Sequence, residues 1–254
     1  MTNAPLSLRR IYKVWLPLAA SWLLMGMELP ILSAFVARLA EPKINLAAYG
    51  GIVFPLALII EAPVIMLLAA STALSKDWAS YLKLRKFMLY SGALLTALHL
   101  FTALSPLYYF VAEGLLDAPP EIIEPARLGL IIMTPWTWSI AYRRLNQGVM
   151  IRFGHSNIIG IGTGIRLGMD ILVLSIGFLL GGRGIVVATS AVAASVIAEA
   201  IYIGFRVQAV LNVDLKPAPV LESPLTTRAF ISFYFPLVMT SLLTLLIQPM
   251  GSAA

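Results

Sequence analysis

Long apolar stretches dominate this sequence, and most exceed the roughly 20 residues needed to cross a bilayer core of about 30 Å. In hydrocarbon every backbone donor and acceptor must be satisfied internally, so such stretches fold as helices. Seven spans are expected, at about 14–38, 47–75, 86–112, 127–152, 157–181, 184–210 and 229–254. A mean hydropathy of +0.89 with 12% charged residues excludes an ordinary soluble domain. Pro17, Pro30, Pro55, Pro63, Pro106 and Pro135 all fall inside spans, which predicts kinked helices around a cavity.

The sequence has no cysteine, so disulfides, thiolate catalysis and cysteine metal sites are excluded. Its two histidines, His99 and His155, are far apart, and no metal centre or other cofactor is expected. A net charge of +6 would suggest nucleic acid as the partner of a soluble protein. Here it reflects basic cytoplasmic loops instead, and no nucleic-acid partner is expected. Arg9, Arg10 and Lys13 precede an apolar run of about 24 residues without a small-residue cleavage site, as in a retained first helix.

Loop charge sets the orientation. With the amino terminus in the cytoplasm, that side collects Arg9, Arg10, Lys13, Lys76, Lys83, Arg85, Lys86, Arg143, Arg144, Arg152, Arg206, Lys216 and Arg228. The opposite side holds only Arg38, Lys43, Arg127 and Arg183. This bias predicts a multi-pass protein of the cytoplasmic membrane with its amino terminus inside.

The first and last spans resemble each other. Leu16-Pro17-Leu18 through Pro30 aligns without gaps on Phe235-Pro236-Leu237 through Pro249. Helix-interior prolines in register are hard to produce by shared leucine content alone. Internal repeats in membrane proteins mark transporters built from similar halves. The expected fold is all-α and polytopic, with a six-helix transporter lobe (residues 1–210), a cytoplasmic inter-lobe linker (211–228) and a seventh helix (229–254) that begins a parallel repeat. Six crossings bring the chain back to its starting side, so the two lobes are related by an axis along the membrane normal. The chain reads as one complete half plus the opening helix of its twin, a fragment awaiting a C-terminal lobe.

These features resemble the MOP flippase superfamily: MATE drug/cation antiporters, polysaccharide and lipid-linked oligosaccharide flippases, and ankylosis-protein-like transporters. Trp15-Leu16-Pro17-Leu18 is similar to the family's entry into each lobe, and Leu46-Ala47-Ala48-Tyr49-Gly50 to the approach to its second helix. Arg143-Arg144-Leu145-Asn146-Gln147-Gly148 with Arg152 resembles the end of its fourth helix. The resemblance implies paired bundles, alternating access and coupling to H⁺ or Na⁺. Many MATE members carry an Asp in the first helix, where this chain has Glu28.

Ionisable residues inside a membrane are costly and need a partner, water or a role. Counting along the spans puts Glu28, Glu61 and His99 near mid-membrane, with Arg166, Asp170 and Glu199 at similar depth. Glu28, Glu61, Arg166, Asp170 and Glu199 are therefore the candidates for ion coupling or for lining a substrate cavity. Arg166 and Asp170 are four apart and share a helix face, which predicts a pair, with Glu199 able to join it. Glu28 lies two residues before Pro30, where a freed carbonyl can help bind a cation, and Glu61 stands in the same relation to Pro63. His99 reads as a hydrogen-bonded packing residue. Of Arg143 and Arg144, at least one should snorkel to the interface, leaving the other to meet an anionic head group. Gly160, Gly162, Gly164 and Gly168 have a spacing suited to close helix packing.

The leading expectation is a secondary active transporter working by MATE-like efflux or antiport. A flippase for lipid-linked substrates, and a non-transporting membrane subunit or truncated product, are the alternatives. Membrane lipid and a small-molecule or lipid-linked substrate are the expected partners. Enzyme chemistry is not expected, because the sequence offers no Ser-Lys pair at credible depth and no paired aspartates.

Overall fold

The computed structural model describes residues 8–252 and is helical, with no strand among the described residues. The first span is two helices, α1 (Leu8–Gly26) and α2 (Glu28–Val36), interrupted at Met27. Pro30 explains the break, since it has no N–H for the Gly26 carbonyl and its ring crowds that turn. The chain tightens instead, with Met27 N donating to Leu24 O at 3.2 Å.

The second span is segmented too. It runs through α3 (Pro42–Ala48), a π-helical turn (Tyr49–Val53), α4 (Phe54–Ile65) and α5 (Leu67–Leu74). Pro42 opens α3 where its missing N–H costs nothing, while Pro55 and Pro63 fall where the regular ladder is disturbed.

The third span starts earlier than expected, as α6 (Trp78–Leu104). Asp77 caps it, its carboxylate accepting from Ser80 N at 2.9 Å, and the helix ends at Ser105 ahead of Pro106. Lys83, Arg85 and Lys86, expected in a loop, therefore ride on its first turns. A short turn α7 (Leu107–Tyr109) and a π-helical stretch (Phe110–Leu115) lead to α8 (Pro120–Ile132) and α9 (Thr134–Arg152). Next come α10 (Ser156–Leu179), α11 (Gly184–Val210), which runs on as a π-helical turn to Leu215, and α12 (Thr227–Ser252).

Six segments of the described residues are long and apolar enough to cross a membrane. The expected fourth span, α8–α9, is not among them. Its polarity is tolerated because α9 is the hub of the bundle, packed against α4, α5, α6, α10 and α11 rather than against lipid. Twelve of its nineteen residues are buried, from Trp136 to Met150. The protein is an all-α, multi-pass integral membrane protein.

Two apolar cores stack along the helices. One gathers Leu32, Val53, Ala57, Ala103, Ile140, Leu174 and Val196. The other gathers Val64, Leu95, Ala141, Leu145, Ile158 and Ile203. The expected packing stripe on α10 is incomplete, because Gly164 and Gly168 face open space while Gly162 approaches Glu199 and Ile203; the tightest glycine contact of α10 is Gly177 against Val187. Gly148 of α9 makes an equally close contact, against the backbone of α5. Of the prolines paired by the repeat and expected to kink their helices (Pro17 and Pro30 with Pro236 and Pro249), Pro30 sits just after the break and Pro236 lies within an unbroken α12. The side chains of Pro17 and Pro249 lie outside the described residues.

The segment between α11 and α12 is strapped to the start of α6. Asp77 Oδ2 accepts from Leu221 N at 3.3 Å, and the Lys216 ammonium stands 5.1 Å over the Trp78 ring. Burial of Asp77 opposes its charge, but hydrogen bonds from Ser80 and Leu221 outweigh it and hold the carboxyl below the usual aspartate value. A lowered folded-state pKa stabilises the charged form. That contribution is present above the unfolded pKa and is lost as pH falls through the folded value. Asp77→Ala should cost about 1 kcal/mol, a typical N-cap loss. It should also speed thermolysin cleavage at the Val220–Leu221 bond at neutral pH, and wild-type protection of that segment against pepsin should weaken on acidification below about pH 4. Unchanged cleavage in the variant would remove the strap.

Candidate functional site

The buried ionisable groups sit where the two cores meet. On α4, Glu61 separates Ala57 of one core from Val64 of the other, and on α11 Glu199 separates Val196 from Ile203. His99, Arg143, Arg166 and Asp170 occupy the same junction on α6, α9 and α10. A single polar layer thus crosses the bundle, made by helices far apart in sequence.

The layer contains two ion pairs between helices. Glu28, in the first turn of α2, accepts from the Arg166 Nη2 of α10. Glu199 of α11 accepts from the Arg143 Nη1 of α9, and its other oxygen takes Gln147 Nε2 at 3.0 Å. Glu199 is 0% exposed and Arg143 2%.

This pairing corrects the sequence reading. Arg166 turns to Glu28, not to Asp170 four residues along its own helix, and Glu199 joins Arg143 rather than Arg166. An i,i+4 pair on one helix surface contributes only a few tenths of a kcal/mol. A desolvated pair between helices has a stronger Coulomb interaction and also fixes their packing. Gln147 is a layer residue not singled out beforehand. Its signal was available, because it lies one turn beyond Arg143 on the same face of α9.

Several polar atoms in the layer have no partner. Both carboxylate oxygens of Asp170, Glu28 Oε1, Glu61 Oε2 and the Nε atoms of Arg143, Arg144 and Arg166 are buried without a hydrogen bond. Asp170 is fully buried. It lies within electrostatic reach of Glu28 and Arg166, and Glu61 within reach of Arg144, Arg143 and Arg166. Four carboxyls therefore share three guanidiniums. With all groups ionised, one negative charge is left over.

His99 is fully satisfied. Its Nε2 donates to Leu130 O at 2.9 Å, which leaves Nδ1 to accept from the Thr137 hydroxyl, also at 2.9 Å. It is a packing residue, as its sequence position suggested. Neither Arg143 nor Arg144 reaches the surface freely, so the expected snorkelling does not occur: Arg143 is buried on Glu199 and Arg144 is mostly buried.

A cavity of about 150 Å³ opens beside the layer, between α1 and α9–α10. Trp22 and Met25 line one wall, and Arg143, Arg144, Gln147 and Glu199 the other. A larger hollow of about 490 Å³ between α9 and α11, walled by Trp138, Tyr142 and Phe205, contains no charged residue.

No family model matches the sequence, and no curated protein matches it. Solved structures do. The outward-facing conformation of a multidrug resistance MATE family transporter of the MOP superfamily matches with a TM-score of 0.72 at 18% identity, over 93% of this chain and 52% of its own. A MOP superfamily transporter from Pyrococcus furiosus, described as having a binding pocket of reverse polarity that suggests a different function, gives 0.69 at 16% identity, over 93% and 52%. An inward-facing MATE structure gives 0.68 at 15%, over 87% and 51%. The chain spans about half the length of these transporters. At such identities the likeness establishes the fold, and the fold is that of the MATE transporters of the MOP superfamily.

Proposed function

We propose that the protein forms one lobe of a secondary active transporter, exchanging a small solute for H⁺ or Na⁺ by alternating access. The observation that carries this reading is Asp170: a fully buried carboxyl with neither oxygen hydrogen-bonded, beside a Glu28–Arg166 pair that already spends its one guanidinium. Such a group is a place for a proton or a small cation. Glu28 and Arg166 form the wall of that site, and the break before Pro30 leaves the Gly26 carbonyl region free to contribute. The MATE-like fold supports alternating access. In this reading residues 1–210 are the lobe, 211–228 its cytoplasmic linker, and α12 the first helix of a second lobe that supplies the opposite wall of the cleft. The amino terminus is cytoplasmic, on the strength of the basic loops.

Asp170→Asn is the decisive test, because it removes a charge without breaking any hydrogen bond. In vesicles from cells producing this chain joined to the second lobe that the reading requires, the variant should lose proton- or sodium-gradient-driven ethidium efflux, with unchanged protein in the membrane. Glu28→Gln should do the same, but it also strands Arg166. Wild-type efflux in Asp170→Asn would refute the coupling role. The flippase alternative leans on Arg143 and Arg144, and the commitment of Arg143 to Glu199 leaves it one residue.

A further inference from the structure

The guanidiniums of α9 are not equally employed. Arg143 holds Glu199, and Gln147 occupies the remaining oxygen of that carboxylate. Among the described residues Arg144 has no hydrogen bond and no ion pair, and its Nε is buried without a partner. A guanidinium cannot shed its proton at neutral pH, so this is a standing positive charge inside the bundle. The groups that act on it are Arg143 on its own helix, Glu61 on α4, Glu199 on α11 and Arg166 on α10. Glu61 is the one acid of this set without an ion pair, yet it makes none with Arg144 and its Oε2 also lacks a partner. Arginine and glutamate are thus held apart, each incomplete.

Arg144 lines the cavity of about 150 Å³ against α1. At roughly 30 Å³ per water, that space accommodates an oxyanion with part of its hydration. The buried Nε of Arg143 lies in the same wall, and Trp22, largely exposed, stands across from it.

We propose that this cavity is an oxyanion site for a phosphate-bearing ligand, with Arg144 as the chief ligand and Glu61 as a nearby negative charge that opposes the anion. A forked guanidinium suits phosphate oxygens, two at a time. The inference rests on the transporter reading and gives its solute a charge. The phosphate can belong to a free compound or to a lipid headgroup, and the two sources separate experimentally.

The purified full chain in detergent is titrated with inorganic pyrophosphate and with phenyl phosphate at constant ionic strength, read by calorimetry. In parallel, nanodiscs of phosphatidylglycerol or of phosphatidylcholine are compared for lipid retained in native mass spectrometry. Saturable binding is expected in the soluble arm for a free compound, or selective retention of phosphatidylglycerol for a headgroup. Arg144→Gln should weaken it about tenfold or more, the scale of one charge-assisted hydrogen bond. Arg144→Lys should restore part, since a point charge replaces the fork. Glu61→Gln should tighten binding, because a nearby negative charge that opposes the anion is gone. Absence of binding in both arms, or full affinity in Arg144→Gln, overturns the proposal. If Arg144→Gln fails to purify as a single species, unchanged affinity in Glu61→Gln overturns it alone. Anion binding absent while Asp170-dependent efflux persists would discard this inference and leave the transporter reading intact.

Discussion

Glutamine in place of Glu199 should lower thermal stability more than any other isosteric change in the polar layer. Glu199 is buried at 0% exposure and neutralises Arg143, which is itself 2% exposed. Removing one partner of a buried pair leaves the other charge uncompensated, at a cost of about 3–5 kcal/mol. Arg144, the next residue along, raises that cost, because two adjacent guanidiniums then face each other's field without the acid whose charge acts on both. The measurement is the midpoint of thermal loss of the monodisperse peak in detergent. Arg143→Met combined with Glu199→Leu should recover most of the loss, since an apolar replacement of both partners removes the desolvation problem as well. A wild-type midpoint in Glu199→Gln would show that the pair is not structural.

The second large effect is expected at Gly148. A Cβ there would lie 2.5 Å from Leu68 O, 2.6 Å from Ser71 Cβ and 2.9 Å from Thr72 N, so α9 presses directly on the backbone of α5. Neither helix can yield easily. Ser71 Oγ donates to Leu145 O at 2.7 Å, and Arg152 Nη1 donates to Thr72 O at 3.0 Å, on either side of the contact. Overpacking of this kind costs about 1–3 kcal/mol, and a rigid backbone partner puts Gly148→Ala at the upper end. The same substitution at Gly164, where nothing lies within 4 Å, is the matched control. Equal midpoints for the two variants would mean that the helices part without penalty. A shift confined to Gly148→Ala would establish the contact as a fixed point of the bundle.

The spans were legible because bilayer thickness dictates their length. The errors came from weighting loop charge above capping. The third span starts at Trp78 because Asp77 and Ser80 form an N-cap, so three basic residues ride on the helix instead of preceding it. The depth of the ionisable layer was legible too, since position along a helix fixes height. Its wiring was not. Glu28 and Arg166 lie 138 residues apart, and only the packing of α1–α2 on α10 brings them together. The i,i+4 spacing of Arg166 and Asp170 pointed to the wrong partner because helix periodicity reports shared direction, not the competing neighbour across the interface. Arg144 and Gln147 acquire meaning only from what Arg143 has already claimed.

Tyr234 of α12 donates its hydroxyl to the carbonyl of Pro63, and its ring lies 5.2 Å from Phe87 and 5.2 Å from Phe230. That carbonyl belongs to the residue two places after Glu61. The seventh helix therefore grips the second span like a lever on a crank, at the proline where α4 is easiest to bend. Any tilt of α12 is transmitted as torque to the turn that carries the Glu61 carboxylate, so motion at the edge of the bundle and charge at its centre share one piece of backbone.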